Sequence, residues 1–379
     1  MTAFEPPPRS IAFVLNVDVI GGAEVHTLHL AEALRTQGVA CGVVFLKGGE
    51  GLLGPRFRAA AIPVSYLGYP RLLRAFAEPQ RLLTVLREWR SDVCVLPATS
   101  LLALRLGAGR VVARLVAMEH GDALNLSSLP WYWRMYDRFS RRLGASSLDG
   151  EIAVSDVAAR ALATLPHARR VKVIYNGVDL RSFRPREATT GQYEKRSSSV
   201  VALGAVSRLV KGKGIDVLIE AVAQLAKTRS HLAWELRIAG DGPERGALEA
   251  QSKRLGLSAH VTFLGPVHDI AGFWSRVDIG VFPADRWTES FGLAAMEALA
   301  CGRPVVVADS NSYREVLRDC PGAIFVRRGA VDSLVAAIFG AALSVREQAY
   351  EPQMLHEWVA HRYSMDVVAQ RYLSFFSEL

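Results

Sequence analysis

The sequence predicts an α/β protein built as two doubly wound parallel-sheet units. Three observations carry that reading. Short apolar runs alternate with helical patterns, as buried parallel strands joined by crossover helices do. The alternation stops once, over residues 181–199, where Arg, Lys, Pro185, Gly191 and a serine triplet replace large apolar residues. That stretch reads as a linker. The pattern then restarts, and 379 residues suit two domains of roughly 100–200 residues each.

In the first unit, residues 1–180, apolar runs at 11–17, 41–46, 93–96, 111–118, 151–154 and 171–175 predict strands. Residues 22–37 follow the first run, with Val25, Leu28, Ala31 and Leu34 at helical spacing. In the second unit, residues 200–353, strands are expected at 200–206, 236–239, 261–264, 279–282, 304–308 and 323–326. Helices are expected at 215–227, 244–255, 293–300 and 331–343. Residues 354–379 read as one long helix through Trp358, Tyr363, Val367, Tyr372 and Phe375.

Half of the residues are hydrophobic and 22% are charged. This excludes disorder, collagen and coiled coil for the chain as a whole. Lys and Arg number 45 against 37 Asp and Glu, a net charge of +8. The excess favours an anionic partner: nucleotide, nucleic acid or acidic membrane. Cys41, Cys94, Cys301 and Cys320 lie far apart with no CxxC pair. A reducing cytosol is therefore expected, with neither a disulfide framework nor a zinc ribbon. The Pro-rich start lacks the basic residues of a signal peptide. Residues 101–118 are interrupted by Arg105, Arg110 and Arg114, so no spanning helix is expected.

Candidate chemistry lies where strands give way to helices, the end of an open α/β sheet at which ligands bind. Gly21 and Gly22 form a turn that admits a ligand close to the backbone, or simply a strand-to-helix turn. His120, between Glu119 and Gly121, stands at a strand's carboxyl end facing the cleft; alone it reads sooner as a satisfied loop histidine. Asn176-Gly177 marks a turn and a boundary. Arg208 and Lys213 sit in a glycine-bearing loop suited to a diphosphate, or to a solvated charge run. Gly240-Asp241-Gly242-Pro243 reads as a structural turn, or as part of a nucleotide wall. The weightiest segment is Glu289-Ser290-Phe291-Gly292-Leu293, which opens a helix carrying Glu297. It sets two carboxylates eight residues apart around helix-start amides that suit a phosphate.

In order and spacing these motifs resemble the retaining glycosyltransferases of family 4. The strings "SRLVKGKGIDVLIEA", "IAGDGPER", "ESFGLAAMEALACGRPVVVAD" and the closing "RYSMDVVAQRYLSFF" carry the resemblance, which runs from Gly21 to the last helix. It implies the GT-B fold: two Rossmann-like domains facing a central cleft, with a C-terminal helix (354–379) crossing back to the N-terminal domain. The N-terminal domain would take the acceptor and the C-terminal one the donor. Arg208 and Lys213 would neutralise the leaving diphosphate, and His120 would contact the sugar. Glu289 would hold donor-sugar hydroxyls and Glu297 the ribose. Gly21, Gly22, Ser290, Phe291, Gly292 and Leu293 would line the donor site. Glu315 loosely matches a later motif. The donor would be a UDP- or GDP-sugar, transferred with retention, with no cofactor. Asp-x-Asp is missing from the sequence, so no metal is expected. Ser207, and the Asn311-Ser312-Tyr313 stretch, depart from the glycines common in the family.

Residues 129–143, "LPWYWRMYDRFSRRL", are aromatic and basic. They read as an amphipathic helix on an anionic membrane surface, suited to a lipid-linked acceptor. Alternatively they cover the first sheet through Trp131, Met135 and Phe139, with Arg134, Arg138, Arg141 and Arg142 outward. His26 and His29 lie three apart without further ligands nearby, which favours packing over metal. The expected enzyme is a cytoplasmic, peripheral hexosyltransferase in bacterial surface glycan or glycolipid synthesis, acting on a glycan or lipid-linked acceptor. The alternatives are a nucleotide-sugar epimerase of the same architecture and a non-catalytic sugar-nucleotide-binding subunit. Charge alone argues for nucleic acid, so that partner is not expected.

Overall fold

A computed structural model describes residues 6–19, 21–98, 101–109, 111–121, 130–168, 170–185, 200–284 and 289–379. Seven strands form the first sheet: β1 (Ser10–Val17), β2 (Ala40–Lys47), β3 (Val64–Tyr69), β4 (Val93–Leu96), β5 (Arg114–Glu119), β6 (Gly150–Ala153) and β7 (Val171–Val173). Their order is β3-β2-β1-β4-β5-β6-β7 and every pairing is parallel. Six strands form the second: β8 (Val200–Val206), β9 (Ala233–Ala239), β10 (Val261–Gly265), β11 (Ile279–Phe282), β12 (Val305–Ala308) and β13 (Ala323–Val326). They run β10-β9-β8-β11-β12-β13, again parallel.

The apolar runs follow from burial on both faces of each sheet. Along β1, Ile11, Phe13 and Leu15 pack into one core while Ala12 and Val14 pack into another. Helix Ile215–Thr228 contributes Leu218, Ile219 and Val222 to the core of the second sheet, against Leu203, Leu236 and Ile238.

By contacts the chain divides into two compact units. One is Met1–Gly177 with Tyr363–Leu379, the other Val178–Arg362. The returning segment is shorter than the helix expected from the sequence. At Ser364 the helical pattern breaks, and the Ser364 hydroxyl accepts a hydrogen bond from Val367 N at 3.4 Å, an N-cap. Helix Pro352–Tyr363 lies almost wholly within the second unit; Met365–Glu378 inserts Tyr372, Phe375 and Phe376 into the core of the first. Of the expected linker, residues 186–199 lie outside the described residues, and 181–185 belong to the second unit.

Strand order reverses between β1 and β4 in one sheet and between β8 and β11 in the other. Such a switch point opens a crevice at the carboxyl ends of the strands.

Candidate active site

In the second unit, the loops after β8 and β11 flank the switch point. The loop after β8 is pinned from behind. Ser207 N donates to Ala239 O (3.0 Å), Leu209 N to Asp241 O (2.9 Å) and Glu244 N to Leu209 O (3.0 Å). The Gly-Asp-Gly-Pro turn is thus a brace for the cation loop. Gly214 ends that loop at φ +71° and caps the following helix. A Cβ there would lie 2.2 Å from the carbonyl oxygen of Pro283, in the loop after β11. Only glycine lets the two loops close on each other.

The result is an ion pair between Lys213 Nζ and Glu289 Oε1, both side chains half-buried. With Ser207, Phe282, Pro283 and Tyr313 they line an open hollow. Arg208 stands exposed on the same loop, outside the residues that line it. Buried Phe291 anchors the Glu289 loop in the core. Gly292, at φ +78°, starts helix Leu293–Ala300 without any side-chain cap. Ala295 N already donates to Gly292 O at 3.0 Å, and among the described residues no side chain caps the amides before it. Ser290 and Leu293 are half-buried on either side.

Glu297 lies on this helix, buried beside Trp274. Burial pushes its carboxyl up to about 8, which the Trp274 indole only partly offsets. A raised carboxyl stabilises the fold fully below its ordinary value near 4.5, and that contribution is lost as pH rises through about 8. Glu297→Gln mimics the neutral acid. Thermal melts from acid to alkaline pH should show the wild type losing stability relative to this variant; parallel curves would refute the buried neutral acid.

Tyr313 is a site residue that the motif reading noted only as a departure. It is buried, and its ring closes on Gly292: a Cβ at Gly292 would sit 2.4 Å from Tyr313 Cε1. Burial and the Glu289 charge hold its hydroxyl well above the ordinary tyrosine value. The signal available in the sequence was its place just beyond the carboxyl end of β12, the neighbour of β11. Glu315 is half-buried on the same short helix.

The first unit holds the remaining predicted residues. Gly21 caps helix Gly22–Thr36 in extended conformation, again without a side-chain cap. His120 follows β5, and burial drives its imidazole down to about 4 against the opposing charge of Glu119. Its ring lies 6.0 Å from that of wholly buried His26, which also packs against Tyr372. Among the described residues neither nitrogen of His26 has a hydrogen-bond partner of normal geometry. His29 instead meets Glu32 at 3.2 Å. Among the described residues no group of three or more His, Cys, Asp or Glu is placed to hold a metal. All four cysteines are buried free thiols.

Helix Trp131–Gly144 reverses the packing alternative drawn from its sequence. Trp131, Met135 and Phe139 are 65%, 63% and 58% exposed, whereas Arg141 is 1% exposed. The reason lies in the strands beneath. Glu119 of β5 and Glu151 of β6 are buried carboxylates, and a buried charge demands a counter-charge. Arg141 supplies it, with Nη2 2.6 Å from Glu119, Nη1 3.6 Å from Glu151 and Nε 2.9 Å from Asp137.

Comparison with known proteins accords with this layout. The family model described as Glycosyltransferase Family 4 matches residues 20–182, and that described as Glycosyl transferases group 1 matches residues 193–342. The phosphatidyl-myo-inositol mannosyltransferase of Mycobacterium leprae is 31% identical over 343 residues, 87% of this chain and 83% of the relative. Its counterpart in Mycobacterium tuberculosis is 30% identical over 345 residues, 88% and 85% respectively. The chain belongs to glycosyltransferase family 4. Solved structures agree on the architecture of this family 4 enzyme. Anabaena HepE in complex with UDP-glucose matches with TM-score 0.81 at 22% identity, covering 98% of this chain and 100% of that one. Sucrose-phosphate synthase from Thermosynechococcus elongatus matches with TM-score 0.78 at 18% identity, covering 98% of each. The fold is GT-B, with two Rossmann-like domains.

Proposed function

We propose that this family 4 glycosyltransferase moves a hexose from a UDP- or GDP-sugar to a hydroxyl acceptor with retention of anomeric configuration and without a metal. The acceptor is a glycan or lipid-linked molecule of bacterial surface glycan or glycolipid synthesis, met at an anionic membrane surface. The observation that carries the reading is the Lys213–Glu289 pair beside the uncapped helix start at Gly292. Breaking a glycosyl–phosphate bond leaves negative charge on the diphosphate. Lys213, Arg208 and the first amides of helix Leu293–Ala300 are donors suited to that charge. Glu289 accepts from sugar hydroxyls, Glu297 from the ribose, and His120 contacts the sugar. In same-face attack the departing phosphate oxygen takes the acceptor's proton, so no separate protein base is required.

The names of the relatives support a lipid acceptor, and the UDP-glucose bound to HepE supports a nucleotide-sugar donor. The outer face of helix Trp131–Gly144 supports the membrane. Trp131, Tyr132, Met135, Tyr136 and Phe139 are exposed, with Arg134, Arg138 and Arg142 exposed alongside. An apolar face edged by cations is the pattern of an interfacial helix.

A thermal-shift and nucleotide-release screen with UDP-, GDP- and ADP-sugars tests the donor, and NMR of the product tests retention. An inverted product rejects the mechanism. No response to any nucleotide sugar rejects the donor class.

A further inference from the structure

Glu119 binds the two sides of the histidine turn and the aromatic helix at once. Its Oε1 accepts from Gly121 N at 3.0 Å, so the carboxylate spans His120. Its Oε2 accepts from Arg141 Nη2 at 2.6 Å. Arg141 in turn belongs to the helix whose opposite face carries the exposed aromatics. Glu151 fastens the same guanidinium to β6 and accepts from Ala168 N at 3.1 Å with its other oxygen. Arg141, Glu119 and Glu151 are all buried. Buried pairs of this kind are screened much less than exposed ones and hold their geometry stiffly. A small shift or rotation of the helix must therefore move Arg141, the Glu119 carboxylate and the turn carrying His120 together.

We propose that Arg141 is a positioning residue that ties the aromatic helix to the histidine turn through Glu119, so that seating the helix on an acidic bilayer sets the geometry of His120. The proposal rests on the membrane reading above. It adds a consequence which that reading lacks: the bilayer is an activator as well as a location. The helix's outer face meets lipid headgroups and acyl boundary, while its inner face passes the constraint inward over one guanidinium and one carboxylate.

The test uses the full chain with phosphatidylcholine vesicles made with and without phosphatidylglycerol. Three readouts are taken: sedimentation, the His120 ring resonances by NMR, and kcat and KM for nucleotide release from UDP-glucose and GDP-mannose. In the wild type, phosphatidylglycerol vesicles should pellet the protein and shift the His120 resonances. They should raise kcat by about 10-fold, within the usual range of coupling between sites, with little change in donor KM. Arg141→Lys keeps the charge but loses the fork. It should pellet equally and leave both the resonances and kcat unresponsive. Should that variant fail to fold, Arg141→Met combined with Glu119→Gln and Glu151→Gln removes all three buried charges at similar volume and should show the same uncoupling. A folded variant that responds as the wild type does overturns the proposal while leaving membrane binding in place. A wild type that does not pellet overturns the membrane reading, and the proposal with it.

Discussion

Lys213→Ala should lower kcat/KM for transfer by about 10²–10³, the usual cost of removing one preorganised donor from a developing anion. Lys213 meets Glu289 across the hollow, and each charge holds the other. On donor binding the diphosphate would replace Glu289 as the partner of Lys213, and sugar hydroxyls would replace Lys213 as the partners of Glu289. The loss should therefore appear mainly in kcat, because the charge on the diphosphate grows as the bond breaks. Glu289→Ala should cost a similar factor. The double variant should lose less than the product of the two, since the residues act as a unit. Both side chains are partly open to water, so circular dichroism and melting temperature should change little. Wild-type turnover in either single variant removes that residue from the mechanism.

The largest effect on stability is expected at Tyr372→Ala, at about 3–5 kcal/mol for truncating a fully buried aromatic side chain. Tyr372 comes from the last helix, packs between His26 and Phe376, and places its hydroxyl 3.0 Å from Met118 Sδ. The damage should be confined to the first unit. Hydrogen exchange should accelerate in β1, β5 and helix Gly22–Thr36, and remain as in the wild type in β8 to β13. Uniform acceleration across both units would contradict the assignment of this helix to one core.

What the sequence revealed follows from what burial does to a pattern. Residues 93–96, 200–206 and 279–282 coincide with β4, β8 and β11, because central parallel strands are apolar from end to end. β3 escaped detection because Ser65 and Gly68 interrupt its apolar run, whereas β13, likewise a half-buried edge strand, is an unbroken Ala-Ile-Phe-Val and was legible at 323–326. The Glu289–Glu297 segment was legible because two carboxylates, an aromatic anchor and a capping glycine fall in one short stretch. Tyr313 was harder to read, since its role depends on β12 lying beside β11, which no local pattern states. The helix at 131–144 misled in one respect. Its periodicity marks two faces but cannot say that the surface beneath is a pair of carboxylates. The charged stripe therefore goes inward at Arg141, and the aromatics stay out.

The division of the chain has a consequence for its synthesis. The second unit, Val178–Arg362, is continuous in sequence and has all its residues as soon as they leave the ribosome. The first unit does not. The core face around Phe13, Leu28, Leu34 and Phe45 lacks Tyr372, Phe375 and Phe376 until residues 363–379 have been translated. The usual order, in which the N-terminal domain folds first, is thereby reversed. The growing chain carries an uncovered apolar groove through the making of its entire second half. Exposed apolar surface of that kind is what makes folding intermediates prone to aggregate, so a chain stalled before residue 363 should aggregate from this groove.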